Sequence, residues 1–266
     1  MHPLLGVSAV AIAMDAGTAY LIAGAVTFAF TTVLTVAGVG AAFILIPVFL
    51  SLGIGLHTAM ATALLLNALA MFFACLRFVP AGIVDFRAAL PILIVATGLS
   101  PLGAWSSAYL PVPLLKGLFV GFLLFAASMM LFYQARPHEM GLSRGKAAGY
   151  GAAVGGAAGY VGGLLGVGGG NIIVPALVGL GFDPKRASAT TAFIVIFSSL
   201  TGFLGKASIG GMDGRLLAWT AAGSVAGSLL GAWLMQKKLA TGQVKKTIGI
   251  ILYLIAAQMA WKLAGG

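Results

Sequence analysis

The sequence predicts an all-α integral membrane protein of about ten transmembrane segments, built as two inverted five-segment repeats that each contain a broken short helix. Three observations carry this: a composition too apolar for water, a series of apolar runs of spanning length, and a duplication of the pattern at a fixed interval. Of 266 residues, 61% are hydrophobic and 8% charged, with a mean hydropathy of +1.09. Fifteen Lys and Arg with five Asp and Glu are too few to solvate a globule of this size, which excludes a soluble enzyme. A net charge of +10 would suggest nucleic acid in a soluble domain; in a membrane chain it reflects Lys and Arg kept in cytoplasmic loops beside anionic lipid. The expected partners are therefore the bilayer, with anionic lipid at the cytoplasmic loops, and no nucleic acid. Cys75 is the only cysteine, so neither an internal disulfide nor a multi-thiolate metal site holds the fold, and no metal or cofactor is expected.

Long apolar runs fall at 18–37, 57–76, 88–110 and 113–133, and again at 147–165, 187–204, 216–235 and 247–263. These approach the about twenty residues that cross a bilayer as a helix. Two shorter runs, 41–52 and 171–181, make only about 18 Å of helix against a hydrocarbon core of about 30 Å. A glycine-rich stretch precedes each, Gly38-Val39-Gly40 and Gly166 to Gly170, and as extended chain it supplies the missing reach at about 3.3 Å per residue. Each short run is thus a broken spanning element or a re-entrant hairpin.

Charge separates the two. With ten crossings, the loops of one side hold Arg77, Arg87, Arg136, Arg144, Lys146, Lys185, Arg186, Lys237, Lys238, Lys245 and Lys246, and the other side only Lys116, Lys206, Arg215 and Lys262. With re-entrant hairpins the fifteen charges divide eight to seven. The positive-inside rule favours ten crossings with both termini outside the cytoplasm. Residues 1–17 form an apolar N-terminal extension whose only basic group before Asp15 is His2, which suits a short interfacial or packed helix better than a cleaved signal peptide.

Shifting the chain by 128 residues lays Ala37–Trp105 over Leu165–Trp233 without a gap, and nineteen of the sixty-nine pairs are identical. Gly38-Val39-Gly40 falls on Gly166-Val167-Gly168, Pro47 on Pro175, Gly53 on Gly181 and Thr62 on Thr190. Asp85-Phe86-Arg87 falls on Asp213-Gly214-Arg215, and Gly103-Ala104-Trp105 on Gly231-Ala232-Trp233. The first repeat occupies 18–133, a polar linker loop 134–146 and the second repeat 147–266. An odd number of segments per copy turns the second copy upside down.

Glycine at Gly166 to Gly170, followed by Asn171, opens the backbone to left-handed or extended angles and to close approach by a ligand. The helix that follows turns its free N–H groups and positive dipole end back into the break, a ready-made anion site when it lies at mid-membrane. Asn171 is placed to cap that helix or to donate to a ligand. Gly38 and Gly40 form the corresponding break of the first copy. Polar side chains within spans are costly enough to be informative, so Thr62 and Asn67, and Thr190, Thr191, Ser198 and Ser199 in the matching segment, are candidates to line the substrate path. The substrate-binding candidates are thus Gly38, Gly40, Thr62, Asn67, Gly168, Gly169, Gly170, Asn171, Thr190, Thr191, Ser198 and Ser199. The competing reading is that the hydroxyls bond back to their own helix and the glycines serve packing. Gly151, Gly155, Gly159 and Gly163, and Gly223, Gly227 and Gly231, recur every four residues and read as packing stripes. The Asp85/Arg87 and Asp213/Arg215 pairs read as membrane-edge features. Lys206 and Arg77 end apolar segments, where either anchoring or attraction of an anion fits. None of the five acids falls within a span, which argues against a carboxylate proton relay.

Two glycine-led half-segments each followed by Pro, a polar third segment, a Gly-x-x-Asp-x-Arg loop and a Gly-Ala-Trp helix, all in duplicate, resemble the sulfite exporter TauE/SafE family. The resemblance covers about residues 18–262 and is carried by Gly166 to Pro175, Thr190, Thr191, Gly210 to Arg215 and Gly227 to Ala232, with weaker copies in the first half. It implies a multi-pass carrier of the bacterial inner membrane that moves small anions, above all sulfur-containing ones such as sulfite, sulfonates or sulfoacetate. The first copy departs from the second in having Ala41-Ala42-Phe43 where the second has Gly169-Gly170-Asn171. A passive anion channel is the alternative, and an intramembrane lipid-modifying enzyme a weaker one, since no Ser/His/Asp or His/Cys set is visible among the spans. No enzymatic activity and no catalytic residue is expected. The oligomeric state is left open, a homo-oligomer included.

Overall fold

The computed structural model describes residues 16–37, 40–132, 144–206, 214–237 and 241–264. Ten α-helices follow in order, without a strand among these residues: α1 (Ala16–Ala37), α2 (Ala42–Ser51), α3 (Leu56–Phe78), α4 (Phe86–Ser106), α5 (Val112–Phe132), α6 (Arg144–Leu165), α7 (Gly170–Gly179), α8 (Pro184–Lys206), α9 (Gly214–Gln236) and α10 (Thr241–Ala264). Moved on by 128 residues, the bounds of α1, α2 and α3 coincide with those of α6, α7 and α8, and α4 and α5 begin within one residue of α9 and α10. Among the described residues, five helical stretches are long and apolar enough to cross a membrane by themselves: Leu56–Phe78, Phe86–Tyr109, Val112–Met129, Pro184–Lys206 and Gly214–Gln236.

The two ten-residue helices α2 and α7 end alike. Gly53 N donates to Leu50 O (3.1 Å) and Ile54 N to Phe49 O (3.0 Å); Gly181 N donates to Val178 O (2.9 Å) and Phe182 N to Leu177 O (3.2 Å). This is the paired bonding of a Schellman motif, which needs a left-handed residue just past the helix, and Gly53 (φ +81°) and Gly181 (φ +94°) supply it. Pro47 and Pro175 sit inside the same short helices, removing one ladder donor from each. Short length therefore follows from the local sequence.

α3 and α8 form the centre, with most of their apolar lengths buried. They pack antiparallel: Asn67 meets Ser199, and Met60, near the start of α3, meets Lys206, the last residue of α8. Around them, the fourth helix of each half packs on the first helix of the other, α4 on α6 and α9 on α1. The predicted stripes make this contact. A Cβ on Gly155 would lie 2.5 Å from Ile92 O and one on Gly159 2.5 Å from Ala96 O, while Gly223, Gly227 and Gly231 press against the backbone of Gly24, Phe28 and Thr32. Closeness of this kind is how membrane helices gain dispersion energy that lipid cannot match.

Candidate functional site

Both glycine breaks arrive at one residue. Asn67 is fully buried at the middle of α3. Its Oδ1 accepts from Ala41 N (3.1 Å), at the start of α2, and its Nδ2 donates to Ser199 Oγ (3.0 Å) on α8. Gly168 lies against the same pair: a Cβ there would stand 2.5 Å from Asn67 Nδ2 and 2.5 Å from Ser199 Oγ. Ser198, beside Ser199, donates its hydroxyl to Gly168 O (3.4 Å) and receives Ser100 Oγ on its own carbonyl (2.6 Å). Gly40 packs directly on Asn67 Oδ1. Gly40 and Gly168 both hold φ +76°, a left-handed angle that a side chain resists, so the breaks are fixed by backbone conformation as well as by space.

From this common level the short helices leave in opposite directions. The end of α2 walls a cleft of about 480 Å³ with Val112 and Lys116 at the start of α5 and Met259 and Leu263 at the end of α10. The end of α7 (Leu177, Leu180) and Phe182 wall a second, of about 510 Å³, with Asp85 and Arg87 at the start of α4 and Ala148 and Gly151 near the start of α6. Two half-helix N-termini converge on a buried polar pair, and a cleft opens at each outer end.

The other candidates divide. Thr191 Oγ1 is buried with no hydrogen-bond partner, and Thr62 is buried in the second turn of α3. Thr190 is engaged elsewhere: its Oγ1 accepts from Asp85 N (2.9 Å), tying α8 to the start of α4. Asn171 is buried in the first turn of α7 but does not cap it, because Gly169 (φ +76°) is the N-cap residue and no side-chain cap bond forms. Gly169 and Gly170 continue the break into α7, with Gly169 set against the backbone of Ala158 in α6. Gly38 lies outside the described residues, as do Asp15, Glu139, Asp213 and most of the 134–146 linker. Asp85 accepts from Arg87 N (3.1 Å) and Ala88 N (3.0 Å), capping α4, and pairs with Arg186 at 3.7 Å. Asp183 caps α8 through Lys185 N (2.9 Å) and Arg186 N (3.4 Å). Among the described residues, no group of His, Cys, Asp and Glu could hold a metal ion.

Sequence reasoning left Lys206 undecided, and the structure buries it completely. Its ammonium donates to Ser107 Oγ, to Leu164 O (3.3 Å) and towards Met60 Sδ (3.7 Å). An anchor would reach for water instead. The only signal in the chain was a lysine closing an apolar segment with no acid beside it.

Apolar helices of spanning length around a buried polar centre define a multi-pass membrane protein of transporter type. The family described as sulfite exporter TauE/SafE matches residues 22–259, and the chain belongs to it. It is also similar to the probable membrane transporter protein YunE of Bacillus subtilis (strain 168), 35% identical over 105 residues, which are 39% of this chain and 38% of that protein. The matched stretch thus spans well under half of either chain. No solved structure matches.

Proposed function

We propose that the protein is a secondary transporter of small anions, sulfur-containing ones such as sulfite, sulfonates or sulfoacetate foremost, with ten crossings arranged as two inverted five-segment repeats in the cell inner membrane. The observation that carries this is the meeting of both glycine breaks at Asn67 and Ser199. Two positive half-helix ends at one buried level favour negative charge without committing a fixed cation there. The antiparallel crossing of α3 and α8, the coincidence of helix bounds at 128 residues and the opposite courses of α2 and α7 support the inverted arrangement. Each short helix with its glycine lead-in is then one broken crossing, and the clefts at its two outer ends are where alternating access would begin. The family's printed description supplies the sulfur-anion class.

Orientation follows from the same reading. The end of the bundle at which α3 finishes and α4, α6 and α8 begin carries eleven of the fifteen basic residues in or near its loops, which sets it in the cytoplasm and both termini outside. The test is counterflow in proteoliposomes. Saturable uptake of labelled sulfite or sulfoacetate, accelerated by unlabelled anion on the far side, is expected; flux that rises linearly with concentration and shows no counterflow marks a channel.

A further inference from the structure

Lys206 is a fully buried lysine with no acidic partner among the described residues. A buried ammonium is stable only when paired or richly hydrogen-bonded. Here it has one hydroxyl, one carbonyl and a thioether, the weakest acceptor of the three. The one ion pair among the described residues, Asp85 with Arg186, lies at the opposite end of the bundle. Two further observations fall on the same spot. His57, in the first turn of α3 and three residues before Met60, has a buried Nδ1 with no hydrogen-bond partner. Gly166, at φ +75°, packs on Met60, so the first residue of the second break touches the side chain that completes the lysine's shell.

From these we infer that Lys206 is the charged ligand of a small oxyanion at the end of the bundle where α8 finishes and α3 begins, one station out from Asn67 and Ser199. The anion's oxygen takes the position towards Met60 Sδ, exchanging the poorest of the ammonium's partners for a charge-assisted bond, while Ser107 Oγ and Leu164 O keep the lysine aimed. The inference rests on the transport reading above but is separable from it, since anion binding could reside wholly at the central pair.

The experiment uses the full chain in detergent, with sulfite and sulfoacetate as probes, and measures binding directly and by thermal shift for Lys206→Met, Lys206→Gln and Lys206→Arg. Losing a charge-assisted contact is expected to weaken binding about tenfold or more in the Met and Gln variants, with Arg within about threefold of wild type. Without ligand, the Met variant should melt at or above the wild-type temperature, because an apolar isostere relieves a buried charge. Wild-type affinity in the Met and Gln variants overturns the inference and leaves the transport reading standing. So does a Met and a Gln variant that both fail to fold, which marks a structural lysine, or an Arg variant as weak as Met. A wild-type protein that binds neither probe overturns both.

Discussion

Asn67 and Ser199, 132 positions apart in the chain, are hydrogen-bonded at 3.0 Å where α3 and α8 cross, and the same Asn67 holds the backbone N–H of Ala41, the N-cap residue of α2. One amide therefore joins the central helix of each half to the glycine break of the first, with the break of the second packed against it. Loss of Asn67 should act on both halves together.

Asn67→Ala leaves Ala41 N and Ser199 Oγ without their partner in a buried place, at about 1–3 kcal/mol for an orphaned group. Ser199→Ala orphans only Nδ2 and should cost less. The double variant is expected to be non-additive, with a coupling of about 0.5–3 kcal/mol, because the residues share one bond. Denaturation of the four proteins in detergent checks this; strict additivity would mean the bond contributes nothing.

Glycines should separate by surroundings. Gly159→Ala forces a Cβ to 2.5 Å from Ala96 O and is expected to lower the melting temperature, as is Gly169→Ala, whose Cβ would stand 2.5 Å from Ala158 O at a left-handed φ. Gly121, on α5, has nothing within 4 Å of such a Cβ, so Gly121→Ala should be neutral or stabilising by about 0.5–1 kcal/mol. Equal melting shifts at all three sites would contradict the close-packed helix contacts. Gly169 substitutions therefore carry a folding cost, which the melting shift reads directly.

At the rim, Asp85→Ala removes the α4 cap and the Arg186 partner at once, an expected loss of about 0.5–2 kcal/mol. Arg186→Ala removes only a half-exposed ion pair and should cost about 0–1 kcal/mol. Thr190→Val should behave like the aspartate, because it orphans Asp85 N. Thermal denaturation ranks the three.

Sidedness has its own measurement. Met140→Cys in a Cys75→Ala background should resist an impermeant thiol reagent in intact cells and react once they are opened; labelling from outside would reverse the orientation.

Much of this molecule was legible before any coordinate. Apolar runs located the helices, most bounds to within four residues and the start of α10 to within six, because a spanning segment must satisfy its backbone internally, and composition alone signals it. The duplicated Gly-Val-Gly, Pro and Gly positions marked the two short helices, since left-handed angles and a missing donor are local properties of those residues. The packing stripes were legible for the same reason: a four-residue spacing fixes one helix face. What tertiary structure decided is which polar groups meet. Asn67 has Val195 at its repeat position, so no internal comparison pairs it with Ser199; only the antiparallel crossing of α3 and α8 does. Thr190 matched Thr62 in sequence yet bonds Asp85 N instead, because its turn of α8 lies beside the start of α4. Lys206 read as an interfacial anchor or an anion attractor until the ends of α4 and α6 closed over it, and burial is a property of neighbours that a helix cannot encode by itself.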